Sequence, residues 1–470
     1  VIHQEGKFML MIKRLFIKIL GLLSFKGSAY VLVLIFRIFA IKERKKNGKD
    51  SLFFTNAKNK KTILALDRKR YRGDLEALAE NPEFRVLHIS HEWQSILISR
   101  FYGHYELLTD LMILGHPMIE RHERCQDFLQ YFLRKLYSFI KIDAVIGVTY
   151  RYLNDYDWSL ASERIGVPFI MLYRECLMNT PMYTYDIIER TAGYPKFHGS
   201  HIIVHNEICK SLFTDSKFCP SNKISVLGAI RMDGLIKKLK SRKLNKDSLN
   251  RRKRFVLFYF PYDINIFGRK GAVQPNGYPE IYKYSFNIWK DRKVLFEKLH
   301  EAIIELAIEN PDIDFIIKPK IEATYKKSWD FYQSIIKKHN YKKLPNYFIS
   351  HNVNVHSLIS SADVICGLQS SAVIESAVFE KHIVFPLFEN YMNNDNFQTF
   401  GWRNHLNLFD TALTKNDFIK IVNKRLKTEG QVSSEIVKLR WDLYRKYFNT
   451  SDADVSDRYY SVITKIINKQ

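Results

Sequence analysis

Short apolar runs alternate along this chain with longer stretches in which apolar residues recur at helical spacing. A first block has such runs at 62–66, 84–89, 144–148, 168–172, 202–204 and 224–227, and a second block has them at 255–260, 315–317, 347–350, 364–366 and 383–386. Nearly continuous apolar runs are typical of strands buried on both faces, as in parallel sheets covered by helices. The alternation therefore predicts an α/β protein with two doubly wound, Rossmann-like sheets.

A charged stretch of low hydrophobicity at 235–254 separates the two blocks. A chain of 470 residues is also too long for one ordinary core and suits two domains. We therefore expect a first Rossmann-like domain over 51–234, a linker over 235–254, and a second Rossmann-like domain over 255–432. The remaining residues, 433–470, read as helices.

Residues 1–50 mix bulky apolar side chains with lysine and arginine. The longest uncharged run, 27–36, is shorter than the about 20 apolar residues that span a bilayer. No convincing cleavage site follows, which argues against a secretory signal peptide. Basic residues among apolar ones are typical of helices lying in an anionic membrane interface, and a pair of ordinary core helices is the alternative. We expect a helical extension on the inner face of the cytoplasmic membrane.

The formal net charge is +24, from 73 Lys and Arg against 49 Asp and Glu. Such an excess of positive charge is typical of proteins that bind nucleic acid, an anionic membrane surface or phosphate-rich small molecules. The clusters at 42–49, 58–61 and 251–254 are equally typical of solvated linkers. Because no aromatic–basic interleaving or helix-turn-helix pattern occurs, nucleic acid is not expected as a partner. Five cysteines without a close pair predict a reduced, cytoplasmic compartment.

The strongest candidate site follows the strand predicted at 364–366. Gln369, Ser370 and Ser371 precede a helix that carries Glu375 one turn on. A serine cap, free backbone N–H groups and the positive end of the helix dipole would bind a phosphate or carboxylate. Glu375 would then accept hydrogen bonds from ribose or sugar hydroxyls. A plain helix cap with a surface glutamate is the alternative interpretation.

Two cationic stretches of the second block fit the same site. Lys318 and Lys320 flank a proline directly after a predicted strand, where they would stabilise charge on a departing nucleotide phosphate. Arg269 lies in a glycine-rich loop that can approach a phosphate closely. Solvated lysines and a flexible insertion are the structural alternatives. Neither a P-loop nor a Gly-x-Gly-x-x-Gly motif occurs, so ATPase and dinucleotide chemistry are not indicated, and no cofactor is expected.

In the first block, charged side chains follow three predicted strands. Transfer of a sugar requires a carboxylate or histidine that takes the proton of the acceptor hydroxyl. We predict Glu175, and after it Asp67, for this role. The remaining charged residues at these strand ends are placed on the acceptor side: Arg174, Asp155 and Asp157. A structural salt bridge between Arg174 and Glu175 is the alternative interpretation of this pair. No zinc-ligand spacing occurs, and no metal is expected.

Three of these stretches resemble bacterial surface-polysaccharide transferases of the GT-B class and the related CDP-glycerol phosphotransferases. Residues 226–233 look like the Gly-x-x-Arg-x-Asp hinge of those enzymes, Lys318-Pro319 stands where many relatives have His-Pro, and Gln369-Ser370-Ser371 with Glu375 is similar to their Ser-Ser donor motif. Residues 169–175 also resemble a segment of Kdo-type capsule transferases. Lysine in place of histidine favours phosphate neutralisation over proton donation.

The resemblance implies two Rossmann-like halves that face each other across a nucleotide-sugar cleft and close about a hinge near Arg231. The second half would bind a CMP-, UDP- or GDP-linked sugar, and the first would bind a glycan or lipid-linked acceptor, with residues 433–470 crossing back to it. The alternatives are a nucleotide-sugar epimerase or a CDP-polyol phosphotransferase, although Leu368-Gln369 departs from the Asp-Tyr of the CDP-glycerol enzymes. A non-catalytic basic protein that binds membranes or nucleic acid is an alternative of another class.

Overall fold

The chain divides into two compact units. A computed structural model describes residues 25–45, 49–52, 54, 59–71, 73–102, 119–150, 153–175, 180–241, 251–258, 281–319, 322–338, 343–350, 353–368, 370–388, 392, 397, 400–427 and 432–469. The first unit comprises 1–175, 187–236 and 448–470, and the second comprises 176–186 and 237–447. The boundary at 236/237 lies near the start of the predicted linker, and the chain returns to the first unit at 448.

The first unit is built on one mixed sheet. Its strands are β1 (Lys42–Arg44), β2 (Asp50–Ser51), β3 (Lys61–Ala65), β4 (Phe84–His88), β5 (Ala144–Gly147), β6 (Phe169–Leu172), β7 (His201–Val204) and β8 (Ile224–Val226). They lie in the order β2-β1-β4-β3-β5-β6-β7-β8. Strand β1 pairs antiparallel with β2 and β4, and the pairs from β4 to β8 are parallel.

The second unit carries a parallel sheet. Its strands are β9 (Arg254–Phe258), β10 (Asp314–Lys318), β11 (Tyr347–Ile349), β12 (Val364–Gly367), β13 (His382–Pro386) and β14 (Asp410–Ala412). They lie in the order β11-β10-β9-β12-β13-β14. The prediction of two doubly wound α/β halves is confirmed by these two sheets.

Helices connect the strands in both units. They are α1 (Ala29–Ile35), α2 (Asp74–Glu80), α3 (His91–Tyr102), α4 (Ile119–Phe139), α5 (Leu153–Arg164), α6 (Pro181–Ala192), α7 (Glu207–Asp215), α8 (Asp233–Lys240), α9 (Ile281–Glu309), α10 (Glu322–Lys338), α11 (Val355–Ser361), α12 (Ser371–Ala377), α13 (Lys415–Lys427), α14 (Ser434–Phe448) and α15 (Val455–Ile467). None of those described is long and apolar enough to cross a lipid bilayer. The central strands β4, β5, β6 and β12 are buried along their whole length, as expected for sheets covered on both faces.

The basic cluster at 42–49 is more than a solvated linker, because it contains strand β1. Glu43 and Arg44 are both only 4% exposed. The Arg44 guanidinium lies 3.2 Å from Asp50 and 3.3 Å from Glu76, so its charge is compensated inside the fold. Strand β1 was missed in the sequence because its burial depends on ion pairs rather than on an apolar run.

Of the two C-terminal helices, α15 lies in the first unit and α14 in the second. Helix α15 packs its Val455, Tyr459 and Ile463 into the core of the first unit. Helix α14 stays with the second unit, where the buried Arg440 donates hydrogen bonds to the carbonyls of Leu408 (2.9 Å) and Lys381 (2.8 Å).

Residues 226–233, which resemble an interdomain hinge, anchor α15 within the first unit. The Asp233 carboxylate accepts hydrogen bonds from the backbone N–H groups of Val455 (3.3 Å) and Ser456 (2.8 Å), which caps that helix. Tyr459 donates to the Gly228 carbonyl at 3.0 Å. Gly228 itself has a φ of 94°, and a Cβ there would lie 2.7 Å from the Phe448 carbonyl oxygen. Only glycine fits this position.

We therefore expect Gly228→Ala to destabilise the first unit more than Gly166→Ala does. Gly166 has a similar φ of 82°, but an added Cβ meets nothing within 4 Å. Left-handed backbone should cost about 1–2 kcal/mol at either position, and the clash should add about 1–3 kcal/mol at Gly228 alone. Chemical denaturation of both variants measures the difference. Equal losses would show that the approach of Phe448 to Gly228 is relaxed without cost.

Candidate functional site

In the second unit, two of the predicted anion-binding stretches lie at one edge of the sheet. Strand β9 lies between β10 and β12, so the strand order reverses there, and ligands of such sheets bind beyond the carboxyl ends at this point. Lys318 and Gly367 are both register partners of Phe258, the last residue of β9. With neighbouring strands about 4.8 Å apart, their Cα atoms lie about 10 Å apart. The lysine and the serine loop thus emerge side by side.

The serine loop forms a cap on α12, as the sequence indicates. The Ser370 hydroxyl oxygen accepts a hydrogen bond from the backbone N–H of Ala372 at 3.3 Å. Ser371 is the first helical residue, and both serines are half-buried. On the other side of β9, Lys318 is half-buried, and its ammonium donates to the Pro319 carbonyl at 3.0 Å.

Glu375 is more enclosed than the sequence suggests. It is only 4% exposed, and its Oε2 lies 3.1 Å from Nε2 of His356. Helix α11, which carries His356, packs against α12 and covers the carboxylate. A ligand hydroxyl that donates a hydrogen bond to Glu375 would therefore compete with His356 for its carboxylate. Three predicted site residues, Lys320, Gln369 and Arg269, lie outside the described residues.

In the first unit, the corresponding reversal of strand order lies between β3 and β5, since β4 is on the opposite side of β3. Asp67 follows β3, and Asp155 lies in the first turn of α5, which follows β5. Arg70 joins the two: its Nε lies 2.7 Å from Asp67 and its Nη1 lies 3.3 Å from Asp155. One guanidinium thus serves two carboxylates, and this bridge spans 85 positions of sequence.

Asp67 lies at a predicted site position, and its contacts are also those of a structural residue. It is 5% exposed and adopts φ 49° and ψ 71°, a left-handed conformation that non-glycine residues rarely adopt. Its carboxylate pairs with Arg70, which is a structural contact for a residue at a candidate position.

Asp155 lies in a different electrostatic environment. It is 2% exposed, and burial raises the pKa of its carboxyl to about 7; Arg70 opposes this effect, and the charge of Asp67 adds to it. A side-chain hydrogen bond with Gln94 of α3 also favours its charged form. A carboxyl group that titrates near neutral pH at a sheet's switch point is a candidate for proton transfer.

Asp157, which the sequence grouped with Asp155, faces another way. It is fully buried between α3, α4 and α5, where Tyr102 donates to its Oδ2. Gln126 donates to its Oδ1 at 3.0 Å, and Nδ1 of His122 lies 2.9 Å from the same oxygen. The two aspartates therefore do not face one acceptor site, because side chains two positions apart on a helix point in different directions.

Arg174 and Arg231 both lie close to Asp74 of α2. Arg174 forms an ion pair with Asp74, and Glu175 is exposed. Arg231 lies in the first unit, where its side chain is 8% exposed, 3.7 Å from Asp74 and over the ring of Phe448. Arg231, which we also predict to contribute to nucleotide binding, has these contacts within the first unit.

His205 is a buried group that the sequence analysis did not single out. It directly follows β7, is 2% exposed, and its Nδ1 has no hydrogen-bond partner among the described residues. Burial, together with the charges of Arg231 and Arg174, holds its pKa well below the usual range. His205 is therefore neutral at physiological pH. Only its position after a strand marks it in the sequence. In the described part of the chain, no three His, Cys, Asp or Glu residues are grouped to hold a metal.

The fold is similar to that of several solved enzymes. No protein-family model matches the chain, and no curated protein sequence matches it. Staphylococcus aureus MnaA, solved with UDP, has 14% identity and a TM-score of 0.46 over 87% of this chain and 97% of its own. Neisseria meningitidis UDP-GlcNAc 2-epimerase, bound to UDP-GlcNAc, has 11% sequence identity and a TM-score of 0.45, over 86% of this chain and 100% of its own. The wall teichoic acid polymerase TagF has 11% sequence identity and a TM-score of 0.47, over 99% of both chains. At 11–14% identity, these likenesses show the fold alone.

We expect Asp155→Asn to change how stability depends on pH. A carboxyl whose folded pKa is raised contributes stability that is present below its unfolded pKa of about 4 and lost as pH rises through about 7. The variant lacks this loss. Its free energy of unfolding relative to the wild type should therefore rise by about 2–3 kcal/mol between pH 5 and pH 8.5. Urea denaturation at both pH values measures it, and parallel pH curves would contradict the assignment.

Proposed function

We propose that this chain is a transferase that moves a sugar from a nucleotide-sugar donor to a surface-glycan or lipid-linked acceptor. The observation that carries the proposal is the convergence of Lys318 with the Ser370-Ser371 cap on either side of β9. A cation and free helix N–H groups at the carboxyl edge of one sheet are suited to a nucleotide's phosphates. The second unit therefore binds the donor.

The acceptor binds to the first unit in this proposal. An acceptor hydroxyl needs a proton acceptor, and carboxylates at strand ends supply candidates. Glu175, which follows β6, is exposed and therefore open to a ligand. Lys318 stabilises the charge that develops on the departing phosphate, so this role needs no metal. Lys320, Gln369 and Arg269 are proposed to add to donor binding on the basis of their sequence positions.

A nucleotide-sugar epimerase and a CDP-polyol phosphotransferase remain the alternative activities of the same site. An epimerase converts its nucleotide-sugar without any acceptor, whereas a transferase leaves the sugar unchanged until an acceptor or water takes it. Incubating the protein with UDP-, GDP- and CMP-linked sugars alone, followed by chromatography and mass analysis, separates these activities. An isomerised nucleotide-sugar would overturn the transferase proposal.

The anion site leads to a prediction for Lys318→Gln. Loss of one charge-assisted contact to phosphate should cost about 1.4 kcal/mol, which corresponds to about tenfold weaker nucleotide binding. Thermal shift or calorimetry with UDP, CDP, CMP and GDP measures it, because a bound nucleotide raises the melting temperature. Lys337→Gln, an exposed lysine at the end of α10, is the matched control. Equal nucleotide binding by both variants would place the phosphates elsewhere.

We also propose attachment to an anionic membrane surface through α1 and the π-helical turn Phe36–Ala40 that continues it. One face of this segment packs on the first unit, where Phe36 contacts Phe132 and Trp93 edge-on. The other face carries large apolar side chains that are between 45% and 65% exposed: Phe25, Tyr30, Val31, Leu34, Ile38 and Phe39. Exposed apolar patches of this kind mark interaction sites.

Cations surround that apolar face and indicate which surface it binds. Lys26 and Arg100 are exposed, and Lys135 of α4 lies 3.8 Å from the Tyr30 ring centroid. Aromatic and aliphatic side chains ringed by lysine and arginine suit the boundary between acyl chains and anionic headgroups. The excess of positive charge over the whole chain acts in the same direction.

The double variant Leu34→Ser/Ile38→Ser should weaken membrane binding. Each side chain should lose about 1 kcal/mol of burial in the interface, so partition into phosphatidylglycerol vesicles should fall about thirtyfold. Co-sedimentation with these vesicles measures it. Leu439→Ser, at an exposed leucine of α14, is the control and should bind like the wild type. Unchanged co-sedimentation of the double variant would remove α1 as the attachment surface.

A further inference from the structure

A cavity of about 380 Å³ lies in the first unit beside the loop that follows β3. Ligand pockets have volumes of about 300 Å³ and more, so the cavity has room for a monosaccharide with a charged group. Three cations, one carboxylate and two uncharged residues line it: Arg44, Arg68, Lys69, Glu76, Gly73 and Leu75. All six belong to the first unit.

The loop that supplies two of the cations is fixed at the carboxyl edge of the sheet. Arg68 and Lys69 follow β3 there, at the edge where ligands of such sheets bind. The backbone N–H of Arg68 donates to the Ile89 carbonyl, just beyond β4, at 3.1 Å. The Arg68 carbonyl accepts from the Tyr71 N–H at 3.2 Å. A ligand would therefore meet a loop whose backbone is already ordered.

Positive charge predominates on the lining of this cavity. Asp50 pairs with both Arg44, at 3.2 Å, and Arg68, but it is not one of the lining residues. Glu76 lies 3.3 Å from Arg44 and is the one acid among the described residues that line the cavity. Lys69 faces Glu92 at 3.5 Å, and their side chains are 78% and 32% exposed. Exposed pairs of this kind are weak, so Lys69 can turn to an anion.

The two guanidiniums also act on each other. Burial lowers the pKa of Arg44, and the charge of Arg68 lowers it further, whereas the charges of Glu76 and Asp50 raise it. The Arg44 side chain is only 2% exposed, so water screens this repulsion poorly. Since both guanidiniums line the cavity, an anion within it would attract both and offset their repulsion.

We infer that this cavity binds a sugar that carries a phosphate or a carboxylate group; that this sugar belongs to the acceptor rests on the proposed transferase function. Arg68 and Lys69, which are both exposed, hold the anionic group through charge-assisted hydrogen bonds. Glu76 is 38% exposed and accepts hydrogen bonds from sugar hydroxyls.

The combination of these groups selects against two simpler ligands. A neutral sugar offers the hydroxyls that Glu76 accepts from but leaves the cations without an anion. Inorganic phosphate offers the anion but no sugar hydroxyls, and its charge is repelled by Glu76. A ligand with both features satisfies the whole lining, and specificity of this kind combines attraction with repulsion.

Calorimetry on the full chain with glucose 1-phosphate, glucuronate, glucose and inorganic phosphate tests the inference. At least one of the two anionic sugars should bind about tenfold more tightly than glucose and inorganic phosphate. Arg68→Gln/Lys69→Gln should weaken this binding about tenfold or more. Lys237→Gln/Lys238→Gln removes the same charge from two exposed lysines of α8 and should bind like the wild type. Circular dichroism checks that both double variants fold.

Glu76→Gln separates sugar recognition from a structural role of this residue. The amide keeps the shape of the side chain but is a weaker acceptor, and it no longer repels a phosphate. The preference for the anionic sugar over inorganic phosphate should therefore fall about fivefold. A role in folding alone would weaken both ligands alike, and an unchanged preference would overturn the assignment of Glu76 to the sugar hydroxyls.

The remaining outcomes distinguish this inference from the proposed function. The inference is overturned if the wild type binds neither anionic sugar, if glucose binds equally well, or if Arg68→Gln/Lys69→Gln keeps the wild-type affinity. Weaker sugar binding by Lys318→Gln would place the ligand in the second unit and overturn it as well. Nucleotide binding without anionic-sugar binding overturns this inference alone. Anionic-sugar binding without any nucleotide binding supports the cavity as a sugar site and overturns the proposed function, and with it the assignment to an acceptor.

Discussion

Parallel strands that are buried on both faces end at a common edge, and this constraint determines where the described candidate groups at the strand ends lie. Within such strands the backbone is fully paired and the side chains are apolar, so chemistry is confined to the loops beyond the strand ends. Lys318 is the last residue of one strand of the second sheet, and Asp67 lies two residues beyond a strand of the first. The reversal of strand order beside β9, and again beside β3, opens the space into which those loops point.

The two sheets use this edge with opposite electrostatics. Beyond β10 and β12, a lysine and a helix cap present positive potential, which suits an anion. Beyond β3 and β5, two carboxylates share Arg70, and burial keeps Asp155 close to neutral. A transfer reaction requires both properties: charge stabilisation for the leaving phosphate and a weakly acidic group for the incoming hydroxyl.

Local patterns predicted what depends on local physics. Strands β3 to β13 were found because buried strands consist of near-continuous apolar runs, and the Ser370 cap was found because a serine before a helix is a local signal. Strands β1, β2 and β14 were not found; in β1, Arg44 is buried with ion pairs that form only in the fold. The pairing of Asp67 with Asp155, the cover of His356 over Glu375 and the separation of Asp157 from Asp155 arise from tertiary packing, and no spacing in the sequence indicates them.

Asp155 is a candidate residue that lowers the stability of the fold at neutral pH. A carboxyl whose folded pKa lies above its unfolded pKa destabilises the protein at neutral pH, because the folded state resists its ionisation. An asparagine would keep the shape and remove that cost. Where a neutral isostere would fit and would make the protein more stable, the presence of the charged residue is typical of a conflict between activity and stability.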